Sequence, residues 1–284
     1  MEKRTTDLWF TEYQTPNLRL GLRITSILAN RRTPYQHLLV ADTEQYGRVM
    51  ALDGAIQVTE KDEFTYHEML SHIALAAHPN PRKVLVVGGG DGGTAREASR
   101  HSSVEEVNLV DIDQQVIDAS REFFPALSAG LDNPRVKVFA MDALQFIRER
   151  RNEFDVVLVD STDPVDFAEG LFLEPFYRDV FNSLTDDGFI VAQTESPFAE
   201  PAILSSAVSE MRKVFPLVKV YWGAMPTYPT GMWTYAIGSK RHDPVDIRSE
   251  IPVGTRYYSK DMHRASFVLP PFLEEIINER HSRK

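Results

Sequence analysis

The chain contains no cysteine, so it can form neither a disulfide nor a thiolate metal site, and it fits a reducing compartment. No apolar run approaches the length needed to cross a bilayer. The first stretch, "MEKRTTDLWF", carries charges with no apolar core behind them and does not read as a signal peptide. His67, His72 and His78 share one helical region, but no H-E-x-x-H motif appears, so a metal is not expected. Basic charge is also scarce: 31 basic side chains face 41 acidic ones, a formal net charge of -10. That balance disfavours nucleic acid and membrane surfaces as partners. It suits a cationic ligand, or simply a soluble surface. No internal repeat or low-complexity segment is present. The expected location is the cytoplasm.

What is there divides in two. The first sixty residues hold short runs punctuated by turn residues: "LRLGLRITSIL", "YQHLLVAD", "GRVMALD" and, after Asp53-Gly54, "AIQVTE". They are too closely spaced for crossover helices and read as an antiparallel meander. Residues 62–77 read as a helix with Phe64, Met69, Ile73 and Ala77 on its buried stripe. Beyond it, apolar strands alternate with helical stretches near 93–100, 114–124, 143–150, 174–184 and 202–215, and two late strands lie at "LVKVYW" and "MWTYAIG". The expected fold is α/β: a small antiparallel β-domain over 1–61, then a Rossmann-like, mostly parallel sheet over 62–284. In such sheets ligands sit beyond the carboxyl ends of the strands. That rule puts the chemistry at 88–93, Asp111, Asp142, 160–163 and Gln193.

"VLVVGGGDGGTARE" carries Gly88, Gly90 and Gly93 in G-x-G-x-x-G spacing, between a strand and a helix. That context supports nucleotide-type binding. Asp111 closes the next strand 23 residues after Gly88, where a carboxylate can accept hydrogen bonds from ribose hydroxyls. Asp113 is equally suited to capping the following helix. Asp91 is awkward for a pyrophosphate, which it would repel, and attractive for a sulfonium or an amine; it is also placed to cap a helix. Asp142 can meet an adenine amino group, with Ala143 leaving room for the ring, or cap a helix in its turn.

In "VVLVDSTDP", Asp160 ends a strand and Asp163 follows in a turn. Two acids without a metal suit recognition of ammonium groups and general-base work on an amine. A phenol nearby would help hold the nitrogen, and Tyr66 and Tyr228 are the candidates. Trp9 and Trp233 read first as core or interface residues.

Together, "GGGDGG", "VDID", "DSTDP", "PTYPTGMW" and the junction "LDGAIQVTEKDEFTYHEM" resemble spermidine synthases, the aminopropyltransferases of polyamine synthesis, over nearly the whole chain. The resemblance implies transfer of the aminopropyl group of decarboxylated S-adenosylmethionine to putrescine, giving spermidine and 5′-methylthioadenosine. It implies a sheet of the class I methyltransferase type, a homodimer or homotetramer, and no cofactor beyond the co-substrate. By the same resemblance Asp160 and Tyr66 are catalytic. Gln36, Gln57, Gly88, Gly90, Asp91, Gly93, Asp111, Asp142 and Ala143 bind the donor. Trp9, His67, Asp91, Asp163, Gln193 and Tyr228 bind the acceptor. One departure stands out: Asp166 and Phe167 replace a glycine and a proline of many bacterial relatives in an expected lid, which leaves acceptor choice open. The rival readings are an amine methyltransferase using S-adenosylmethionine and a non-catalytic polyamine-binding protein; a nicotinamide dehydrogenase fits less well because of Asp91.

Overall fold

The computed structural model describes residues 7–162 and 170–278. Its first sheet is a meander of five strands, β1 (Trp9–Thr15), β2 (Leu18–Arg32), β3 (His37–Thr43), β4 (Gly47–Leu52) and β5 (Ala55–Thr59), each antiparallel to its neighbour. The strand β1 precedes the first strand expected from sequence. Its inward positions are Phe10, Glu12 and Gln14, and an acid at the middle one hides the alternation.

A 15-residue helix, α1 (Glu63–Ala77), leads into a seven-stranded sheet. Its strands are β6 (Lys83–Gly88), β7 (Glu106–Asp111), β8 (Val136–Ala140), β9 (Phe154–Asp160), β10 (Leu184–Gln193), β11 (Leu217–Ala224) and β12 (Met232–Ser239). The order is β11-β12-β10-β9-β6-β7-β8. From β10 to β8 every pair is parallel, whereas β12 runs antiparallel to both neighbours, so the sheet is mixed. The continuous burial of strands such as Val84–Val87 and Val156–Val159 follows from helices covering both faces. These include α2 (Gly93–Ala98), α3 (Gln114–Phe123), α4 (Pro125–Ser128), α5 (Ala143–Arg148), α6 (Glu174–Ser183) and α7 (Pro201–Arg212). The chain closes with α8 (Lys260–Ser266) and α9 (Pro271–Asn278), which, like α4, are too short to show a period in the sequence. Among the described residues no helix is long and apolar enough to cross a membrane.

Met69, Ile73 and Ala77 of the expected stripe on α1 are buried, but they are not a stripe. Nearly the whole helix is buried, because it packs against α2 on one side and β9, β10 and β11 on the other. Phe64 is the half-buried exception, with the Arg256 guanidinium 3.6 Å from its ring centroid. Full burial forces every polar group of α1 to find a partner. Glu68 accepts the backbone N–H groups of Arg256, Tyr257 and Tyr258 at 2.8 Å each and so fastens the late segment of the chain to the helix. Asp62, just before α1, accepts the Thr227 N–H at 3.0 Å and hydroxyl at 2.8 Å, and the Thr59 hydroxyl at 2.5 Å.

The order of strands sets where a ligand can go. After β6 the chain moves outward to β7 and β8; after β9 it moves the other way, to β10. A crevice therefore opens between the carboxyl ends of β6 and β9. Replacing Glu68 by alanine strands three backbone N–H groups, two of them partly buried and that of Tyr258 fully so. It is expected to cost about 3 kcal/mol, read in thermal unfolding as a Tm lower by roughly 5–10 °C. An unchanged Tm would mean that the late segment is anchored elsewhere.

Candidate active site

Gly88 ends β6 directly beside Asp160 at the end of β9. The Gly89 N–H donates to the Asp160 carbonyl at 2.8 Å, and a Cβ on Gly88 would lie 2.1 Å from that same oxygen. With a φ of +79°, Gly88 cannot be replaced without moving the chain. The other two glycines of the motif clear room for side chains. A Cβ on Gly90 would meet the Asp111 carboxylate at 2.7 Å, and one on Gly93 would strike the His67 ring at 2.4 Å.

Each acid is held by a specific set of donors. Asp160 accepts the Tyr66 hydroxyl at 2.8 Å and the Thr94 hydroxyl at 2.6 Å. Burial, followed by the charge of Asp91, raises its pKa, against the opposing pull of His67 and the two hydroxyls. Tyr66 is pushed well above the usual phenol value by burial and by Asp160, so it stays a donor. Asp91 accepts the Gly93 N–H at 2.7 Å and faces His67 Nε2 at 3.4 Å. Burial would raise the Asp91 pKa, but the His67 charge and these contacts lower it overall. Asp111 accepts the N–H groups of Gly90 at 2.9 Å and Asp113 at 2.8 Å. Burial still raises it to about 6, opposed by those amides and helped by the charges of Asp113 and Asp160.

Two of the open capping questions close. Asp113 is buried and caps α3 through the Gln115 N–H at 3.0 Å. Its other oxygen accepts from Thr33 at 2.6 Å and from Gln36 Nε2 at 3.1 Å, which ties the first sheet to the β7–α3 loop. Asp142 caps α5 through the Leu144 N–H at 2.8 Å and also lines the cavity.

One cavity gathers most of the residues expected from sequence. One side of it is walled by Gln36, Gln57, Gly88, Gly90, Asp91 and Asp111, with Asp142 and Ala143 beyond them. Its other side has Tyr66, Asp160, Gln193 and Tyr228. The Tyr228 hydroxyl donates to the Gln57 carbonyl, and its ring stands edge-on to Trp233 at 4.6 Å. Gln193 donates to Glu195 at 3.0 Å and to the Ser161 carbonyl at 3.3 Å.

Three expected residues are elsewhere. Trp9 is 55% exposed, against Gly21 and with Arg23 5.6 Å from its ring, because alternation along β1 turns odd positions outward. His67 does not line the cavity; it lies behind Asp91, with Nδ1 2.7 Å from Glu63. Gly93 is likewise behind the wall, under the His67 ring. Asp163, Asp166 and Phe167 lie outside the described residues.

Sequence reasoning missed Glu12 and Glu195, covered Ser161 only within the stretch 160–163, and read Trp233 as packing; all four line the cavity. Glu12 is 5% exposed and accepts the Ile56 N–H at 2.9 Å. Glu195 follows β10, so the strand-end rule that found Asp160 also covers it. Ser161 Oγ and Trp233 Nε1 are buried with no hydrogen-bond partner among the described residues.

Ligand atoms of His67, Asp91 and Asp160 lie within 4.8 Å of one another, a spacing compatible with a metal. The donor chemistry argues for a different guest. The His67 pKa is driven well above the usual imidazole value: burial opposes this, but the carboxylates of Asp91 and Glu63 outweigh it. Nδ1 of the imidazole is taken by Glu63 and Nε2 faces Asp91, so neither nitrogen is aimed at an open coordination position. What remains is a pair of carboxylates facing a cavity, and that arrangement attracts ammonium groups.

Residues 63–248 match the family model of the spermine/spermidine synthase domain, and residues 8–60 match that of the spermidine synthase tetramerisation domain. The polyamine aminopropyltransferase of Thermoanaerobacter sp. (strain X514) is 48% identical over 275 residues, spanning 96% of this chain and 99% of that protein. That of Moorella thermoacetica is 47% identical over 272 residues, spanning 95% and 96%. A crystal structure of spermidine synthase in complex with the transition state analogue AdoDATO superposes with a TM-score of 0.91 at 38% identity, over 98% of both chains. Spermidine synthase from Thermotoga maritima gives 0.88 at 37%, over 98% and 97%. The chain belongs to the spermine/spermidine synthase family.

Gly88→Ala is expected to displace the Asp160 backbone by a fraction of an ångström or more and to lower kcat/KM by roughly 100-fold. Steady-state kinetics on a variant with unchanged circular dichroism checks this, and near-normal turnover would mean that the contact is slack.

Proposed function

We propose that this enzyme transfers the aminopropyl group of decarboxylated S-adenosylmethionine to putrescine, releasing 5′-methylthioadenosine and spermidine. The observation that carries the reading is the pair Asp91 and Asp160, two carboxylates side by side at the mouth of the glycine loop. The strand order, with β12 reversed, supports a Rossmann-like domain of the class I methyltransferase type. The break between Thr59 and Glu63 supports a boundary at 61/62. The match of residues 8–60 to a tetramerisation domain, and the exposed Leu8, Trp9, Tyr13 and Ile27, support a homodimer or homotetramer.

In this reading the donor's adenosine lies over Gly88 and Gly90. Asp111 accepts its ribose hydroxyls, and adenine reaches Asp142 and Ala143. Gln36 and Gln57 close the nucleoside from the first sheet. Asp91 takes the terminal ammonium of the aminopropyl arm. The reacting amine sits at Asp160, between Tyr66 and Tyr228. Gln193, Glu195 and Glu12 supply polar groups and charge for the acceptor's far ammonium, and Asp163 adds to them.

The amine nitrogen must lose a proton before it can attack. Asp160 accepts that proton, and its raised pKa narrows the gap to the amine. The lone pair then forms a bond to the propyl carbon attached to sulfur. The C–S bond breaks, and its electron pair stays on sulfur as a neutral thioether. Positive charge thus moves from sulfur to nitrogen, toward Asp160. Anchoring the ammonium at Asp91 aligns the propyl carbon in preference to the methyl. A full S-adenosylmethionine would bring its own carboxylate against Asp91 and be repelled.

The test is a product assay with decarboxylated donor and putrescine, run beside ordinary S-adenosylmethionine. Aminopropylated product from the former alone is expected, and methylated amine from the latter would favour a methyltransferase. In the same assay Asp160→Asn should lower kcat roughly 1,000-fold, while 5′-methylthioadenosine still binds; retained turnover would remove Asp160 from its role. The donor KM should rise as pH falls through about 6, because Asp111 accepts both ribose hydroxyls only when ionised. A donor KM that stays flat from pH 8 to 5 would exclude Asp111 as the ribose acceptor.

A further inference from the structure

We propose that Glu63 and His67 are a positioning pair for Asp91, holding ionised and aimed into the cavity the carboxylate that receives the donor's terminal ammonium. The inference rests on the reading of the site given above, and it concerns two residues that stand behind the cavity wall. His67 is 2% exposed and does not itself line the cavity, whereas Asp91 does. The contacts form a chain. Arg96 donates to Glu63 at 2.8 Å, Glu63 meets His67 Nδ1 at 2.7 Å, and His67 Nε2 faces Asp91 at 3.4 Å.

An imidazole with a carboxylate on each nitrogen is satisfied only when both nitrogens carry protons. The groups that face His67 are Glu63 on its own helix, Asp91 on the glycine loop, Asp160 on β9 and Arg96 on α2. The neutral Tyr66 ring lies edge-on at 5.3 Å. Three carboxylates against one guanidinium favour the imidazolium, which is the direction in which its pKa is displaced.

The pair has a task that a merely buried histidine does not. Asp91 and Asp160 are close enough to compete for one proton. The two acids come out differently: the cation beside Asp91 lowers it, while burial and the Asp91 charge raise Asp160 against the weaker pull of His67. One acid becomes a permanent anion for binding and the other a stronger base for catalysis. Gly93 supports a built arrangement, since any side chain there would occupy the place of the ring.

Nitrogen-15 NMR of histidine-labelled protein, assigned with His67→Gln, should show both His67 nitrogens protonated up to pH 8. A neutral tautomer at pH 7 would overturn the proposal, and where His67→Gln does not fold, His67→Asn serves for the assignment. In kinetics, His67→Gln should raise the donor KM roughly ten-fold. Inhibition by 5′-methylthioadenosine, which lacks the aminopropyl arm, should not change. The acid limb of kcat/KM for the donor should move to higher pH, because Asp91 loses its cation. Glu63→Gln should shift the same quantities in the same direction by less. If donor KM and nucleoside inhibition rise together, the residues only support the fold and the pair has no positioning role. If wild-type enzyme fails to turn over the decarboxylated donor, the functional reading falls instead, and the NMR result alone decides the state of His67.

Discussion

Crowded negative charge is the constraint on which this site depends. Asp91 and Asp160 approach within 4.8 Å, and the charge of Asp160 also acts on Asp111. Two unit charges about 5 Å apart at an effective dielectric of about 20 repel by about 3 kcal/mol. The protein meets that repulsion differently at each acid. Asp91 has an imidazolium, Asp111 has two backbone amides, and Asp160 has two neutral hydroxyls and a raised pKa. Residual repulsion is relieved by a guest that carries positive charge. A donor with a sulfonium and an ammonium, and an acceptor with two ammonium groups, both answer that need. The acidity that selects cations is therefore the same acidity that makes one carboxylate basic enough to take a proton.

The glycine loop is shaped from the protein side as much as from the ligand side. Gly88 presses on the Asp160 carbonyl, Gly90 on the Asp111 carboxylate and Gly93 on the His67 ring. Each lost side chain makes room for a group that holds or supplies charge. The loop is thereby locked to the end of β9: the spacing between Gly88 and Asp160 is fixed by sheet register, and the Gly89 N–H closes the joint at 2.8 Å. Rigid coupling of this kind keeps two reactants in line without a moving part at the reacting centre.

Periodicity and strand ends were legible in the chain. Apolar runs gave the sheet, and acids directly after them gave Asp111, Asp142 and Asp160, since a parallel sheet exposes those positions to one crevice. What was not legible depended on tertiary context. Trp9 looked like a wall of the site, but its parity on β1 turns it outward. His67 follows Tyr66 in sequence and so points to a different side of α1, behind the wall. Glu12 occupies an inward position, where an acid in a strand reads as outward-facing. The buried stripe of α1 failed for a related reason: a helix enclosed on all sides has no polar face, so its charged residues mark internal joints and not solvent.

Those joints tie the first sheet to the chemistry. Asp62 holds Thr227, which places Tyr228 over the cavity, and the Tyr228 hydroxyl is fixed in turn by the Gln57 carbonyl of β5. Gln36 and Thr33 grip Asp113 at the start of α3, one residue pair beyond the ribose-side acid. Glu12 reaches the cavity from β1 and is braced by the Ile56 N–H. A segment that served assembly alone would need none of these inward contacts. The small sheet and its loops supply part of the pocket wall, including Glu12, Gln36, Ile56 and Gln57, and their hydrogen bonds to the loops of the larger sheet hold that part in place. Glu12 and Gln57 thus line the same pocket as the strand ends, although neither lies near Asp160 in sequence.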